Sequence, residues 1–414
     1  MEMLLILAAG MIAQDVPASS GTSSASDSVS TTRKGKSDYI DLEAGVGYST
    51  NPFLATGAGT GRAFGRLSAH AVHNRWTERS TTSLSAYGEN ITYLGRYGSQ
   101  LQGSVNAHHD VQVSESLKLF GDADASLDRS GQLGTRFISS ASPLPINVVT
   151  TPGLPIDPNV NVFAAGRTIR FSGQVGAQMT PSPRDSWTFR TGYSRSMFRN
   201  GVNDLTTSDI FGSVAYSRQL DERTTVGGIV TSRQSDYDGP ANVRSVTPQV
   251  TIHKSLSPRT TIDAAVGLSF VRFDSGTTVR NSTGLTANVT ACHVGEKDQF
   301  CGTFARDQQT SSIAGPAKSL SAGLSYGRKI DSRQSFQLSL SASRYSQETQ
   351  TFVSPLAIGR SDYVAANATY SNKLSGRLYV GLNASARKLY RDGADPKPDV
   401  GGSVFLRFRL GALG

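Results

Sequence analysis

An alternation of period two, returning along almost the whole chain, most constrains what this sequence can fold into. Ile40, Leu42, Ala44, Val46 and Tyr48 interleave with Asp41, Glu43, Gly45, Gly47 and Ser49. Successive side chains of an extended strand point to opposite faces, so one face here is apolar and the other charged or small. Leu117, Leu119, Ala123, Ala125 and Leu127 oppose Lys118, Asp122, Asp124, Ser126 and Asp128 in the same way. Phe336, Leu338, Leu340 and Ala342 oppose Gln337, Ser339, Ser341 and Ser343, and the pattern recurs around Ile169–Met179 and Leu378–Ala386. A soluble sandwich also alternates, but it packs its core with large aliphatic side chains. Here many apolar positions are Ala or Gly, which sit more readily against fluid lipid than in a core filled to crystal density.

The punctuation repeats as well. Short polar turns fall at 75–79, 114–116, 181–185, 221–223, 257–259, 331–333 and 374–376, roughly 40 residues apart except where a long segment intervenes. Two strands and one loop fill such a repeat. Propeller blades have a similar period, but they carry a blade motif that is absent here. Counting up and down predicts an all-β fold: a transmembrane antiparallel up-and-down β-barrel of about 16 strands, within two, over 38–410. Pro248 falls inside one predicted strand, where its missing N–H breaks a ladder bond, so a bulge or a shifted strand boundary is expected there. Aromatic residues gather near predicted strand ends: Tyr48, Phe53, Tyr93, Tyr97, Phe198, Tyr237, Phe273, Tyr345, Tyr363 and Tyr390 on the outer side. Trp76, Trp187 and Tyr379 gather on the inner side. Together they are the expected interfacial girdles.

Composition agrees with a barrel. Only 37% of residues are hydrophobic and 42 are Gly, which suits a closed sheet needing one apolar face. The longest apolar run, Leu4 to Ala13, is too short for a spanning helix and reads as the core of a secretory signal, 1–13, with cleavage as late as 18. Residues 14–37 read as a disordered periplasmic lead-in rich in Ser and Thr. The expected location is therefore the outer membrane of a Gram-negative bacterium, among lipid and lipopolysaccharide, with the barrel-assembly machinery as an implied partner. The formal charge of +9 comes from basic residues scattered singly, not from a stripe of the kind that binds nucleic acid.

The Gly-rich opening strand running into Asn51-Pro52-Phe53 resembles a family of proteobacterial outer-membrane β-barrel porins. Some of its members are similar to barrels that accompany exopolysaccharide export. The last strand, with Asp399, Gly401, Val404 and Leu406, resembles the C-terminal assembly signal of such barrels, although the chain continues to Gly414. The resemblance covers 38–410. It implies an outer-membrane barrel with a transport or export role and supplies no catalytic residue.

Candidate functional residues are those on the polar faces. Arg66, Arg170, Arg190, Arg387, Arg407 and Arg409, with Asp41, Glu43, Asp122 and Asp124, are the expected lumen-lining set. They read either as a selectivity lining of basic bias or as internal salt bridges that rigidify the wall. Two long loops stand out. The first, about 129–165, is the third outer one and reads as a constriction or plug, or else as an external cap. The second, about 274–318, holds Cys292 and Cys301, expected as a structural disulfide closing a short loop. Asp122, Asp124 and Asp128 share a strand face, where solvated charge is the expected reading and no metal or other cofactor is assigned. There is no Gly-x-Ser-x-Gly elbow and no His-Glu-x-x-His motif, and adjacent His108 and His109 face opposite sides of a strand. The chain therefore reads as non-enzymatic. A porin-like channel for polar solutes, anions favoured by the basic bias, is the leading expectation. An exopolysaccharide-export barrel and a structural or adhesive barrel with a plugged lumen are the alternatives.

Overall fold

The structure is a computed structural model and describes residues 35–54, 61–95, 98–129, 167–199, 205–238, 242–311, 315–347, 360–391 and 396–411. Eighteen strands follow in order: β1 (Gly35–Ser49), β2 (Arg62–Trp76), β3 (Ser80–Tyr93), β4 (Ser99–Ser114), β5 (Leu117–Arg129), β6 (Arg167–Ser182), β7 (Asp185–Arg199), β8 (Leu205–Asp221) and β9 (Thr224–Tyr237). They continue as β10 (Asn242–Ser257), β11 (Thr260–Asp274), β12 (Val279–Val294), β13 (Asp298–Ser311), β14 (Gly315–Lys329), β15 (Gln334–Gln347), β16 (Arg360–Lys373), β17 (Leu378–Arg391) and β18 (Asp399–Gly411). Each strand pairs antiparallel with the next, and β18 pairs with β1, from Tyr39↔Gly411 to Ser49↔Gly401. The sheet thus closes on itself and has no edge, which satisfies every strand in lipid.

The alternation predicts the faces correctly. On β1 the odd-numbered Asp41 and Glu43 are buried inside, while Leu42 and Val46 stand exposed outside. Val250 is 71% exposed and Val175 60%. In water such a belt of bare aliphatics would be an aggregation hazard; on a closed barrel it is the lipid face. One end of the barrel is closed by tight turns. At these Asp331 Oδ1 accepts the Arg333 and Gln334 N–H groups, Asp221 Oδ1 accepts the Arg223 N–H, and Ser182 Oγ accepts the Arg184 and Asp185 N–H groups. Side-chain caps of this kind set Asx and Ser turns. The strand ends that flank the longer connections, among them Arg129 and Arg167, and Gln347 and Arg360, lie at the other end. Short inner turns and long outer loops are the asymmetry of an outer-membrane barrel.

The strand count, 18, lies at the upper margin of the expected 16 within two. The segment read as a long loop over 274–318 contains a further hairpin, β12–β13, and Cys292 pairs with Cys301 across it. Their sulfurs are bonded and their Cα atoms lie 4.2 Å apart. The bridge therefore staples two strands near the inner rim instead of closing an outer loop. Pro248 interrupts the ladder without the expected bulge or shifted boundary: β10 pairs with β11 at Val246↔Phe270 and again at Gln249↔Gly267, with no partner between and no change of register. β1 starts at Gly35, so 35–37 belong to the barrel, and the rest of the expected lead-in, 14–34, lies outside the described residues. The 1–13 signal and the 129–165 plug or cap lie outside the described residues, apart from Arg129, which ends β5.

The outer girdle is mostly overturned. Tyr48 and Tyr390 face outward, but Tyr93, Tyr237, Phe273, Tyr345 and Tyr363 point inward because they share the parity of the lumenal residues, and Phe53, beyond the end of β1, is buried inside as well. Tyr97 and the Phe198 side chain fall outside the described residues. The inner girdle keeps Trp187 of the expected members and adds others. Trp187 packs on Tyr216 with ring centroids 4.9 Å apart, and Tyr326 faces Phe336 across β14 and β15. Trp76 and Tyr379 point inward.

Candidate functional site

The barrel interior divides into two walls of opposite character. The first spans β17, β18 and β1 to β4. Cross-strand partners in an antiparallel sheet share a face, and the register sets Arg409 opposite Asp41 and Arg407 opposite Glu43. Arg409 grips Asp41 with two hydrogen bonds of 2.7 Å, and its guanidinium lies 4.1 Å from the centre of the Tyr39 ring. Arg407 donates to Glu43 Oε2 at 2.7 and 3.0 Å. Arg66, one strand further round, donates to the other oxygen of Glu43 and stands 3.5 Å from Glu89. Glu89 also accepts from Tyr87 Oη at 2.7 Å and from Gln102. Phe405 lies beneath both Arg66 and Arg407, 6.0 and 5.2 Å from their guanidinium carbons. There is room for its ring because Gly381 has no side chain: a Cβ there would meet it at 2.2 Å.

Toward the outer mouth, Arg387 donates to Asp399 at 2.9 Å and to the Pro52 carbonyl at 2.6 Å. Asp399 accepts in turn from Ser49 Oγ and from the Asn51 N–H, at 2.6 and 2.8 Å. These bonds fold 51–54 inward across the barrel seam, where Phe53 packs on Ile91, Tyr93 and Phe64. Three buried arginines, Arg66, Arg387 and Arg407, and the part-buried Arg409 are matched one for one with four buried carboxylates, Asp41, Glu43, Glu89 and Asp399. Buried charges are tolerated only when paired in this way.

The other expected residues are placed differently. Asp122, on β5, accepts from His108 at 2.6 Å and from Gln174 at 2.7 Å. Asp124 faces inward opposite Asn106 and Ser172, and the Asp128 side chain lies outside the described residues. Among the described residues no group of three His, Cys, Asp or Glu is arranged to hold a metal ion. Arg170 donates to Ser196 Oγ at 3.2 Å, and Arg190 lies 5.3 Å over the Phe120 ring; among the described residues neither forms an ion pair with a carboxylate. Arg233, on β9, is a third inward arginine without one. Sequence reading missed Arg233, Glu89 and Asp399, although parity with their strand neighbours marks all three as inward.

The second wall, β14 to β16, is neutral and small. Ser321, Gly323 and Ser325 face inward on β14, Ser339, Ser341 and Ser343 on β15, and Asn367 and Thr369 on β16. Ser321, Ser339 and Ser341 lie near mid-height on their strands and are exposed. A water-accessible cavity therefore reaches the level of the bilayer centre, against a wall of hydroxyl donors and acceptors.

No family model matches the sequence, and no curated protein does. Among solved structures, the chain is similar to the FrpB iron transporter of Neisseria meningitidis (F5-1 variant, apoprotein form) at 8% identity and a TM-score of 0.48. That match covers 86% of this chain and 62% of the transporter, so the chain spans less than two thirds of it. It is also similar to OccK2 of Pseudomonas aeruginosa, at 12% identity and a TM-score of 0.47, over 91% of this chain and 98% of that one. A BenF-like porin of Pseudomonas fluorescens Pf-5 is similar at 10% identity and a TM-score of 0.44, over 91% and 99%.

Proposed function

We propose that this protein is a passive outer-membrane channel for small polar solutes with a moderate preference for anions. The observation that carries the reading is the exposed inward hydroxyls of Ser321, Ser339 and Ser341 at mid-height in an 18-stranded barrel. Barrels of this strand number are wide enough to leave an aqueous channel. Hydroxyl-lined walls exchange hydrogen bonds with passing solutes without holding them, which permits conduction. The anion preference rests on Arg170, Arg190 and Arg233, three inward arginines below the rim with no ion pair to a carboxylate among the described residues. The eight matched charges of the other wall contribute no net field. The basic lumen expected from the arginine count thus narrows to a strip on β6, β7 and β9. The role is non-enzymatic.

Solute efflux from loaded vesicles tests this. Reconstituted protein should release a small sugar acid faster than a neutral sugar of the same size. The triple variant Arg170→Gln, Arg190→Gln, Arg233→Gln should release the two at equal rates. No release of either solute above protein-free vesicles would refute the channel. An unchanged preference in the variant would refute the arginine strip.

A further inference from the structure

The barrel's outer wall carries a pair of charges that channel function does not explain. Arg244 on β10 and Arg272 on β11 are direct cross-strand partners, both on the lipid-facing side and both exposed. Like charges placed opposite each other destabilise a sheet unless something lies between them. Neither arginine has a hydrogen-bond or ion-pair partner among the described residues. Asp236 and Asp274 face outward one pair nearer the loops. Asp236 accepts from Gln234 at 3.3 Å and Asp274 from the Gly276 N–H at 2.9 Å, and neither reaches an arginine.

The register extends the row. Gln234 lies beside Arg244, and Asn281 beside Arg272, so four strands present Gln, Arg, Arg and Asn at one level. Directly below, toward the bilayer centre, come Ser232, Val246 and Phe270. These residues line a recess of about 430 Å³. At Ser232 it meets a second, larger recess of about 880 Å³ that runs along β4 to β9 and is walled by side chains such as Val175, Val214 and Val230. Outward Gly121 and Gly212 leave space there. The outward residues of β11 below Arg272 are apolar from Phe270 to Ile262, so the arginine pair marks the upper margin of the lipid belt, at the long-loop end.

We propose that this surface binds one phosphorylated lipid of the outer leaflet, a lipopolysaccharide. Its phosphate sits between Arg244 and Arg272, its sugar hydroxyls meet Gln234 and Asn281, and its acyl chains run over Val246 and Phe270 into the apolar recess. The charge, the headgroup depth and the adjoining greasy recess all favour this occupant. A second copy meeting this face about a two-fold axis would bring the same two arginines against the pair.

The test is a native mass-spectrometry titration of hexa-acylated, bis-phosphorylated lipid A into the detergent-solubilised barrel. It does not depend on conductance. One lipid should bind with preference, and the variant Arg244→Gln, Arg272→Gln should bind it roughly thirty-fold more weakly, as expected for two arginines at an anionic headgroup. Lipid A stripped of both phosphates should bind wild-type protein as weakly as intact lipid A binds the variant. The control Arg195→Gln, Arg328→Gln, which removes two outward arginines elsewhere, should bind intact lipid A as wild type does. In lipid-free detergent the Arg244→Gln, Arg272→Gln variant should be at least as heat-stable as wild type, since a like-charge pair has been removed. Equal binding of intact and phosphate-free lipid by wild-type protein would overturn the proposal, and so would equal weakening in the control. The first of these comparisons needs no variant to fold.

Discussion

Replacing Glu43 by Gln should expose how the charged wall is held together. Glu43 accepts from two arginines, Arg66 and Arg407, whose side chains are 4% exposed, as its own is 7% exposed. Gln keeps the volume and one acceptor oxygen but removes the charge that both guanidinium groups share. Removing one partner of a buried pair costs about 3–5 kcal/mol, because the remaining charge stays desolvated. Arg66 retains Glu89 at 3.5 Å, so the loss should fall at the lower end, about 3 kcal/mol. Removing both partners in Glu43→Gln, Arg407→Gln should cost less than the sum of the singles, with a coupling of at least about 1.5 kcal/mol. Urea unfolding of the barrel in detergent, followed by tryptophan fluorescence and by heat-modifiable gel mobility, gives these values. In a planar bilayer, Glu43→Gln should also move the reversal potential toward anions, because two arginines have lost their counter-charge. A loss under 1 kcal/mol together with additive singles would mean that the network is solvated, and the argument from burial would fail.

Three further outcomes follow from individual contacts. Gly267→Ala should block assembly or leave most of the protein unfolded, because the new Cβ would lie 1.9 Å from the Pro248 carbonyl oxygen where the ladder is already open; heat-modifiable mobility reads this directly. Cys292→Ser, Cys301→Ser should lower stability by no more than about 3 kcal/mol, since the bridge closes a short hairpin that the register already holds, and conductance should not change. Trp187→Ala should weaken the inner girdle and reduce refolding yield into vesicles, while Trp76→Ala, which removes an inward ring, should have a smaller effect on membrane insertion.

Much of the fold was legible because one property, the parity of apolar residues, fixes both strand and face. β1, β5, β6, β15 and β17 announce themselves in this way. The β12–β13 hairpin does not. Its outward positions include Asn281, Thr283, His293 and Gly302, so the apolar face is diluted. A second signal was available: Gly295 and Asp298 form a polar turn midway between the turns at 257–259 and 331–333, where the repeat calls for one. The same reasoning would have inserted a false turn between 116 and 181, where a long connection intervenes. The misplaced girdle has a simpler cause. Tyr345 shares the parity of Ser339, Ser341 and Ser343, so its inward direction could be read from the sequence, but nearness to a strand end outweighed parity. The matched charges were beyond reach. Asp41 and Arg409 are separated by 368 positions, and only closure of the barrel, with its register, shows that they meet. Without the register, a count of arginines gives a basic lumen; with it, four of the six expected arginines are neutralised in the wall.

Conduction through the barrel is the decisive property. Single-channel recording of the purified, refolded protein in a planar bilayer, with reversal potentials under a salt gradient, tests this most directly. Stable openings with a moderate anion preference, reduced when Arg170, Arg190 and Arg233 are replaced by Gln, are the predicted result. A correctly folded barrel that passes no current at any voltage the bilayer withstands would contradict it.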